Sequence, residues 1–255
     1  MTGTDYSSYL RIDDLLRLQQ PLSEGASDEL LFIVVHQSYE LWFKLILHEL
    51  ELARSLLLAG EPWNAAPRLR RAVAVDELLV HHLAVLETMS PEGFLEFRDP
   101  LAPASGFQST QFREIEAVSS GTADVHAESP LRSEEQRTAL LRRAKEPTLW
   151  DALCEALSQH GFVERADAGT GAVRAAIAAI YRAHTDPVRA AFHQVFELMV
   201  DHDEAIARWR HHHALMAARE IGRRTGTGGS LGVAYLDTTL GERFFPVLWE
   251  VRSGL

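Results

Sequence analysis

Apolar residues recur every three or four positions along most of this chain, the spacing that gathers them on one face of an α-helix. In 28-DELLFIVVHQSYELWFKLILHELELARSLLL-58 the stripe runs through Phe32, Val35, Tyr39, Trp42 with Phe43, Ile46 and Leu50, and Ser27 or Asp28 can cap its start. A second helix is expected from about Ala65 to Met89, stopped at Ser90-Pro91. Others are expected near residues 131–145 and 148–160. The last long helix, about Pro187 to Gly222, carries Val195, Met199, His202, Ile206, Trp209, His213 and Met216 as one stripe. Period-two alternation survives only at 231-LGVAYL-236, which admits one short strand. The segment 97-FRDPLAPASGFQSTQF-112, with two prolines and a glycine, reads as irregular, and the polar run 119–130 as an exposed loop. The fold class is all-α: a single domain over residues 1–255, built on one helical bundle.

Composition narrows the function classes. At 255 residues, 46% hydrophobic and 24% charged, the chain is ordinary globular material. A net charge of -11 argues against a nucleic-acid-binding surface. The single cysteine, Cys154, can form neither an intrachain disulfide nor a cysteine-rich metal site, so a reducing cytoplasm is expected. The opening MTGTDYSSYLRIDDLL lacks the basic-then-apolar order of a signal peptide. No run approaches the roughly 18 apolar residues of a membrane span, so no membrane partner is expected.

The stretch 209-WRHHHALMAAREIGRRTGTGGSLG-232 holds the densest candidate chemistry. Consecutive helical side chains diverge by roughly 100°, so three adjacent histidines cannot share one metal ion. His213 falls on the buried stripe, whereas His211 and His212 point toward solvent or the rim. A buried imidazole at position 213 is either a hydrogen-bonded core group or a metal ligand, with His202 as competitor on the same stripe. His36, beside Tyr39, Trp42 and Phe43, is equally a hydrogen-bond acceptor for a substrate N–H or a core histidine. Arg98 is either a two-pronged carboxylate clamp or a surface salt bridge. The loop 225-TGTGGSLG-232 offers unobstructed backbone N–H groups with the Thr227 and Ser230 hydroxyls, suiting an anion site or a lid, yet it matches no dinucleotide or Walker pattern.

Four blocks, 6-YSSYLRIDDLL-16, 29-ELLFIVVHQSYELWFK-44, 94-FLEFRDPLAPASGFQSTQFR-113 and 209–232, together resemble the haem-dependent tryptophan 2,3-dioxygenase family. The resemblance fades over about residues 117–190. It implies a helical homotetramer in the cytoplasm, with one haem b per subunit, that cleaves the indole C2–C3 bond of L-tryptophan with O2 to give N-formyl-L-kynurenine. By the same resemblance His213 is the axial ligand of the haem iron and Ser105 lies at the haem edge. His36 is the catalytic partner of the indole N–H, Phe32 and Phe94 line the indole pocket, Arg98 holds the substrate carboxylate, and Thr227 binds the amino-acid end beneath a lid. Tyr6, Tyr9 and Leu10, in an N-terminal arm of residues 1–27, match residues that the family exchanges between subunits.

Leu231 in GTGGSLG, Pro100 after FRD and the histidine triplet depart from the family pattern and leave open a modified tryptophan or other indole analogue as substrate. A haem monooxygenase giving an oxindole and a haem-binding sensor without turnover are the competing readings. The intact GTGGS favours the dioxygenase over the first, and retention of Arg98 with Thr227 over the second.

Overall fold

The two longest apolar stripes become the two longest helices. The computed structural model describes residues 4–121, 132–164, 170–222, 224–228 and 232–255, and holds no strand among them. Short helices α1 (Tyr6–Leu10) and α2 (Ile12–Leu15) form the N-terminal arm. Then come α3 (Glu29–Leu58), α4 (Pro62–Leu86), α5 (Pro91–Leu101), a 3-10 turn (Gly106–Gln108), α6 (Thr110–Ser120), α7 (Glu134–Arg143) and α8 (Leu149–Gln159). The chain ends with α9 (Thr170–Arg182), α10 (Pro187–Ile221), α11 (Val233–Thr239), α12 (Pro246–Glu250) and a second 3-10 turn (Val251–Gly254).

Helix α4 packs along both α3 and α10, and α3 packs further against α6 and α8. Small residues on α4 (Ala65, Ala66 and Ala72) are fully buried and let neighbouring backbones approach, while Leu69, Leu79 and Leu83 fill the space between. Asp186 starts α10: its carboxylate accepts the Val188 and Arg189 N–H groups at 3.1 and 3.0 Å, with Pro187 at the first helical position. Helix α3 contains an 18-residue window of mean hydropathy 1.4 and so, contrary to the expectation from the sequence, is long and apolar enough to cross a membrane. Here it is a bundle helix that buries Val35, Tyr39, Phe43, Ile46 and Leu50 and leaves Leu30, Val34 and Leu41 exposed.

A buried polar chain ties three helices together. His202 on α10 faces Asp76 of α4 through Nδ1 at 2.6 Å and Ser119 of α6 through Nε2 at 3.2 Å, all three inaccessible to solvent. The adjacent Asp203 accepts the backbone N–H groups of Phe244 and Phe245 and the Trp249 indole N–H, which docks the C-terminal helices onto α10.

Three expectations need correction. The exposed loop proposed for 119–130 begins too early: Ser119 and Ser120 close α6, and Ser119 is buried because His202 engages its hydroxyl. Residues 122–130 lie outside the described residues. Arg98 stands not in an irregular segment but in the last turn of α5. Ser90 caps that helix through the Gly93 N–H, and Pro100 is tolerated so near the end, where few ladder bonds remain to break. The described part of 231–236 is helical rather than extended, since α11 starts at Val233.

Candidate active site

A cavity of about 610 Å³ lies among α3, α4, α5, α6, α10 and the loop after α10. It gathers His36, His213, Phe32, Phe94, Arg98, Ser105 and Thr227, drawn from positions almost two hundred residues apart.

The histidine triplet divides between two hollows. His213 lines the main cavity with Met216 and Ala217. His211 and His212 line a separate groove of about 430 Å³ with Arg208, Leu215 and Trp249. His211 is exposed, and His212 meets Glu87 through Nε2 at 3.1 Å. The His213 ring lies parallel to Trp209, 4° apart with centroids 5.1 Å apart. The Trp209 indole N–H in turn reaches the Tyr39 hydroxyl at 3.4 Å, and that hydroxyl donates to the Leu79 carbonyl at 2.9 Å. His213 makes no hydrogen bond to any described residue; burial first, and then His36, push its pKa down to about 4. It is therefore neutral across the physiological range and carries a nitrogen lone pair on a ring that lines the cavity. His202, the competitor, has partners at both ring nitrogens and none of its ring to spare.

His36 is arranged as an acceptor. Its Nδ1–H donates to the Phe32 carbonyl one turn back at 2.8 Å, which leaves Nε2 as the lone-pair atom. Burial lowers its pKa, opposed by that backbone bond and by Glu40, so the neutral tautomer is the resting form at pH 7. The Phe32 ring lies 3.9 Å from the imidazole. Phe94 stands 6.0 Å from Phe32, and Phe97, fully buried, stands 5.4 Å from it and edge-on to Phe94. Phe32 and Phe94 thus give the cavity an apolar aromatic side next to a hydrogen-bond acceptor, with Phe97 packed behind them.

Arg98 and the loop are joined. The Arg98 Nη2 donates to the Thr225 carbonyl at 2.7 Å, its Nη1 is 3.8 Å from the Asp99 carboxylate, and its buried Nε has no partner among the described residues. Much of the guanidinium fork is thus unspent. The Thr227 hydroxyl donates to the Ala104 carbonyl at 2.6 Å. Ser105 is held by the turn that follows it: its hydroxyl accepts from the Phe107 N–H, and its own N–H donates to Gln108 Oε1. A Cβ on Gly228 would come within 2.7 Å of the Ser105 Cβ, so the loop seats against Ser105 only because residue 228 is glycine. Gly229, Ser230 and Leu231 lie outside the described residues.

Tyr6, Tyr9 and Leu10 are not brought to this cavity. They are 74%, 75% and 43% exposed on α1. Sequence reasoning passed over two polar sets, one lining the cavity and one reaching it through Glu40 alone. One is Arg113, Glu116 and Arg210: Glu116 takes a bond from Arg113 at 2.6 Å and from Arg210 at 2.7 Å. The other is Glu40 with Gln111. The available signal was charge inside otherwise apolar helical stripes.

The model of a family described as tryptophan 2,3-dioxygenase matches this chain over residues 1–158 and 126–255. A tryptophan 2,3-dioxygenase of Nocardioides sp. is 44% identical over 98% of this chain and 94% of its own length. Those of Herpetosiphon aurantiacus and Caulobacter vibrioides are 41% and 40% identical, each over 98% of both chains.

Proposed function

The chain belongs to the tryptophan 2,3-dioxygenase family, and from that premise we propose how its cavity carries out the oxidation. The protein is an oxidoreductase that adds O2 to tryptophan, opening the indole C2–C3 bond to give N-formyl-L-kynurenine. The observation that supports this best is the pairing, in one cavity, of a neutral histidine without a hydrogen-bond partner among the described residues, His213, with an aromatic side next to the His36 acceptor nitrogen.

Family members depend on haem, and the residues here fit one haem b per subunit. His213 offers a lone pair that no described residue claims. Leu83, Leu86, Met89, Met216 and Ile221 supply apolar wall for a macrocycle. Arg113, whose buried Nε lacks a partner among the described residues, and Arg210 supply a basic end for its carboxylates, with Ser105 at its edge. Held through His213, a ferrous haem would supply the O2-activating chemistry.

The chain's own residues then orient the substrate. Phe32 and Phe94 hold the indole, and His36 Nε2 accepts its N–H, fixing which edge of the ring faces the oxidant. Arg98 pairs with the substrate carboxylate, and Thr227 closes the loop over the amino-acid end and excludes water. The neutral His36 orients rather than removes a proton. The exposed Tyr6, Tyr9 and Leu10, with the exposed Leu30, Val34 and Leu41 stripe of α3, support a homotetramer in which each arm completes a neighbour's cavity. A lone free cysteine suits the cytoplasm.

Mass spectrometry of the product from L-tryptophan, with ferrous haem-loaded protein under isotopically labelled O2, tests the reading. Two labelled oxygens in N-formylkynurenine are expected. One labelled oxygen in an oxindole would overturn the dioxygenase reading, and turnover of only a modified tryptophan would overturn the substrate.

A further inference from the structure

Glu40 and Gln111 belong to the sequence blocks HQSYELWFK and SGFQSTQFR, and the orientation of substrate described above gives neither a role. Gln111, at the start of α6, sends its amide Nε2 to two acceptors on a single residue of α3: the Glu40 carbonyl at 2.8 Å and Glu40 Oε2 at 2.8 Å. One amide nitrogen carries two N–H bonds, so both contacts form together and fix the carboxylate's rotamer. Glu40 follows His36 by four residues, which puts both on the same face of α3, and both line the cavity.

That placement matters because His36 has already spent Nδ1–H on the Phe32 carbonyl. That bond favours positive charge on the ring more than any neighbouring charge does, but it is fixed by the helix backbone, so what side chains can still adjust is the field around the ring. The charged and titratable groups that share the cavity with it are Glu40 on its own helix, His213, Arg210 and Glu220 on α10, Arg98 on α5, and Arg113 and Glu116 on α6, with Tyr39 and Tyr235 as weak acids. Arg113 and Arg210 share the single Glu116 carboxylate, so this set keeps one net positive charge and sits on α6 and α10 rather than on the helix of His36. Glu40 is the charged neighbour that acts on His36, favouring positive charge on the ring against the effect of burial.

We propose that Glu40, held by Gln111, is a positioning residue for the oxidation: its fixed carboxylate polarises His36 so that Nε2 draws more strongly on the substrate's indole N–H. A stronger N–H···N bond releases electron density into the indole ring and makes its C2–C3 bond the better nucleophile toward the oxidant. The proposal rests on the reading of His36 as the N–H acceptor.

The test uses full-length, haem-loaded Glu40→Gln, which keeps the shape and loses the charge, and Gln111→Leu, which keeps the charge and frees it. The readouts are kcat/KM against pH for L-tryptophan, and the Kd of L-tryptophan and of 1-methyl-L-tryptophan, which has no N–H to donate. Glu40→Gln should lower the plateau of kcat/KM several-fold and move its acid limb down by roughly half a pH unit. Gln111→Leu should move both the same way by less. The Kd penalty should fall on L-tryptophan and spare the methylated compound. An unmoved acid limb in both variants, or equal losses for both ligands, would overturn the role of Glu40. Absence of product from the unaltered protein would instead count against the functional reading.

Discussion

A single methyl group at Gly228 should unseat the loop. Its backbone φ lies outside the left-handed region, so Gly228→Ala tests contact alone. The new Cβ would stand 2.7 Å from the Ser105 Cβ and 3.2 Å from its hydroxyl oxygen. Carbon atoms settle at about 3.5–4.0 Å, so one side must retreat by roughly 1 Å. Ser105 is pinned by Phe107 and Gln108, so the loop is the side that moves. A retreat on that scale stretches the 2.6 Å Thr227–Ala104 bond beyond hydrogen-bonding range and slackens the 2.7 Å Arg98–Thr225 bond. Losing the first costs about 1 kcal/mol and weakening the second, a bond from a charged donor, about another. The sum, about 2 kcal/mol against closure, predicts a fall of roughly thirtyfold in kcat/KM for L-tryptophan. The thermal midpoint should move little, because the segment buries little core. Steady-state kinetics with a melt on the same sample reads both. Gly241→Ala, with nothing within 4 Å of the added Cβ, is the matched control. A Gly228→Ala enzyme with ordinary kcat/KM would show that the working enzyme does not seat its loop on Ser105.

Other outcomes follow from the same geometry. His213→Ala should abolish the Soret band on haem addition while leaving helicity intact, since His213 makes no hydrogen bond to any described residue; a haem-replete variant would refute its role as ligand. Arg98→Lys should raise the KM for L-tryptophan about tenfold or more by losing the planar fork, and should leave the binding of tryptamine, which has no carboxylate, almost unchanged. His202→Leu should cost roughly 3–5 kcal/mol in denaturant unfolding, because Asp76 stays buried without its partner. With the His36 pKa lowered by burial, the acceptor form persists below pH 6.5, so the acid limb of kcat/KM should lie under that value.

Helices α3 and α10 were legible because each carries an apolar stripe long enough to outweigh local noise, and His213 was placed inward by that stripe before any motif was used. The failures have nonlocal causes. Ser119 and Ser120, followed by Gly121, look like loop, yet a histidine 83 positions away buries Ser119. Pro100 and Pro103 suggested broken backbone around Arg98, but a proline one residue from a helix end removes little. The alternation at 231–236 was too short to outweigh Gly232, which opens a helix there. His36 could not be decided from spacing, because its role turns on which ring nitrogen the Phe32 carbonyl occupies. Glu40, Gln111, Arg113 and Arg210 were visible inside the motifs, but their partners sit on other helices.

The solvent-facing Tyr6 and Tyr9 carry a genetic consequence. If each cavity borrows the arm of a neighbour, two dead proteins can make a live one. A chain lacking residues 1–27 keeps its own His213, and a His213→Ala chain keeps its arm. Co-expressed in equal amounts and paired at random, they should recover roughly a quarter of the unaltered activity, from cavities that draw one half from each parent.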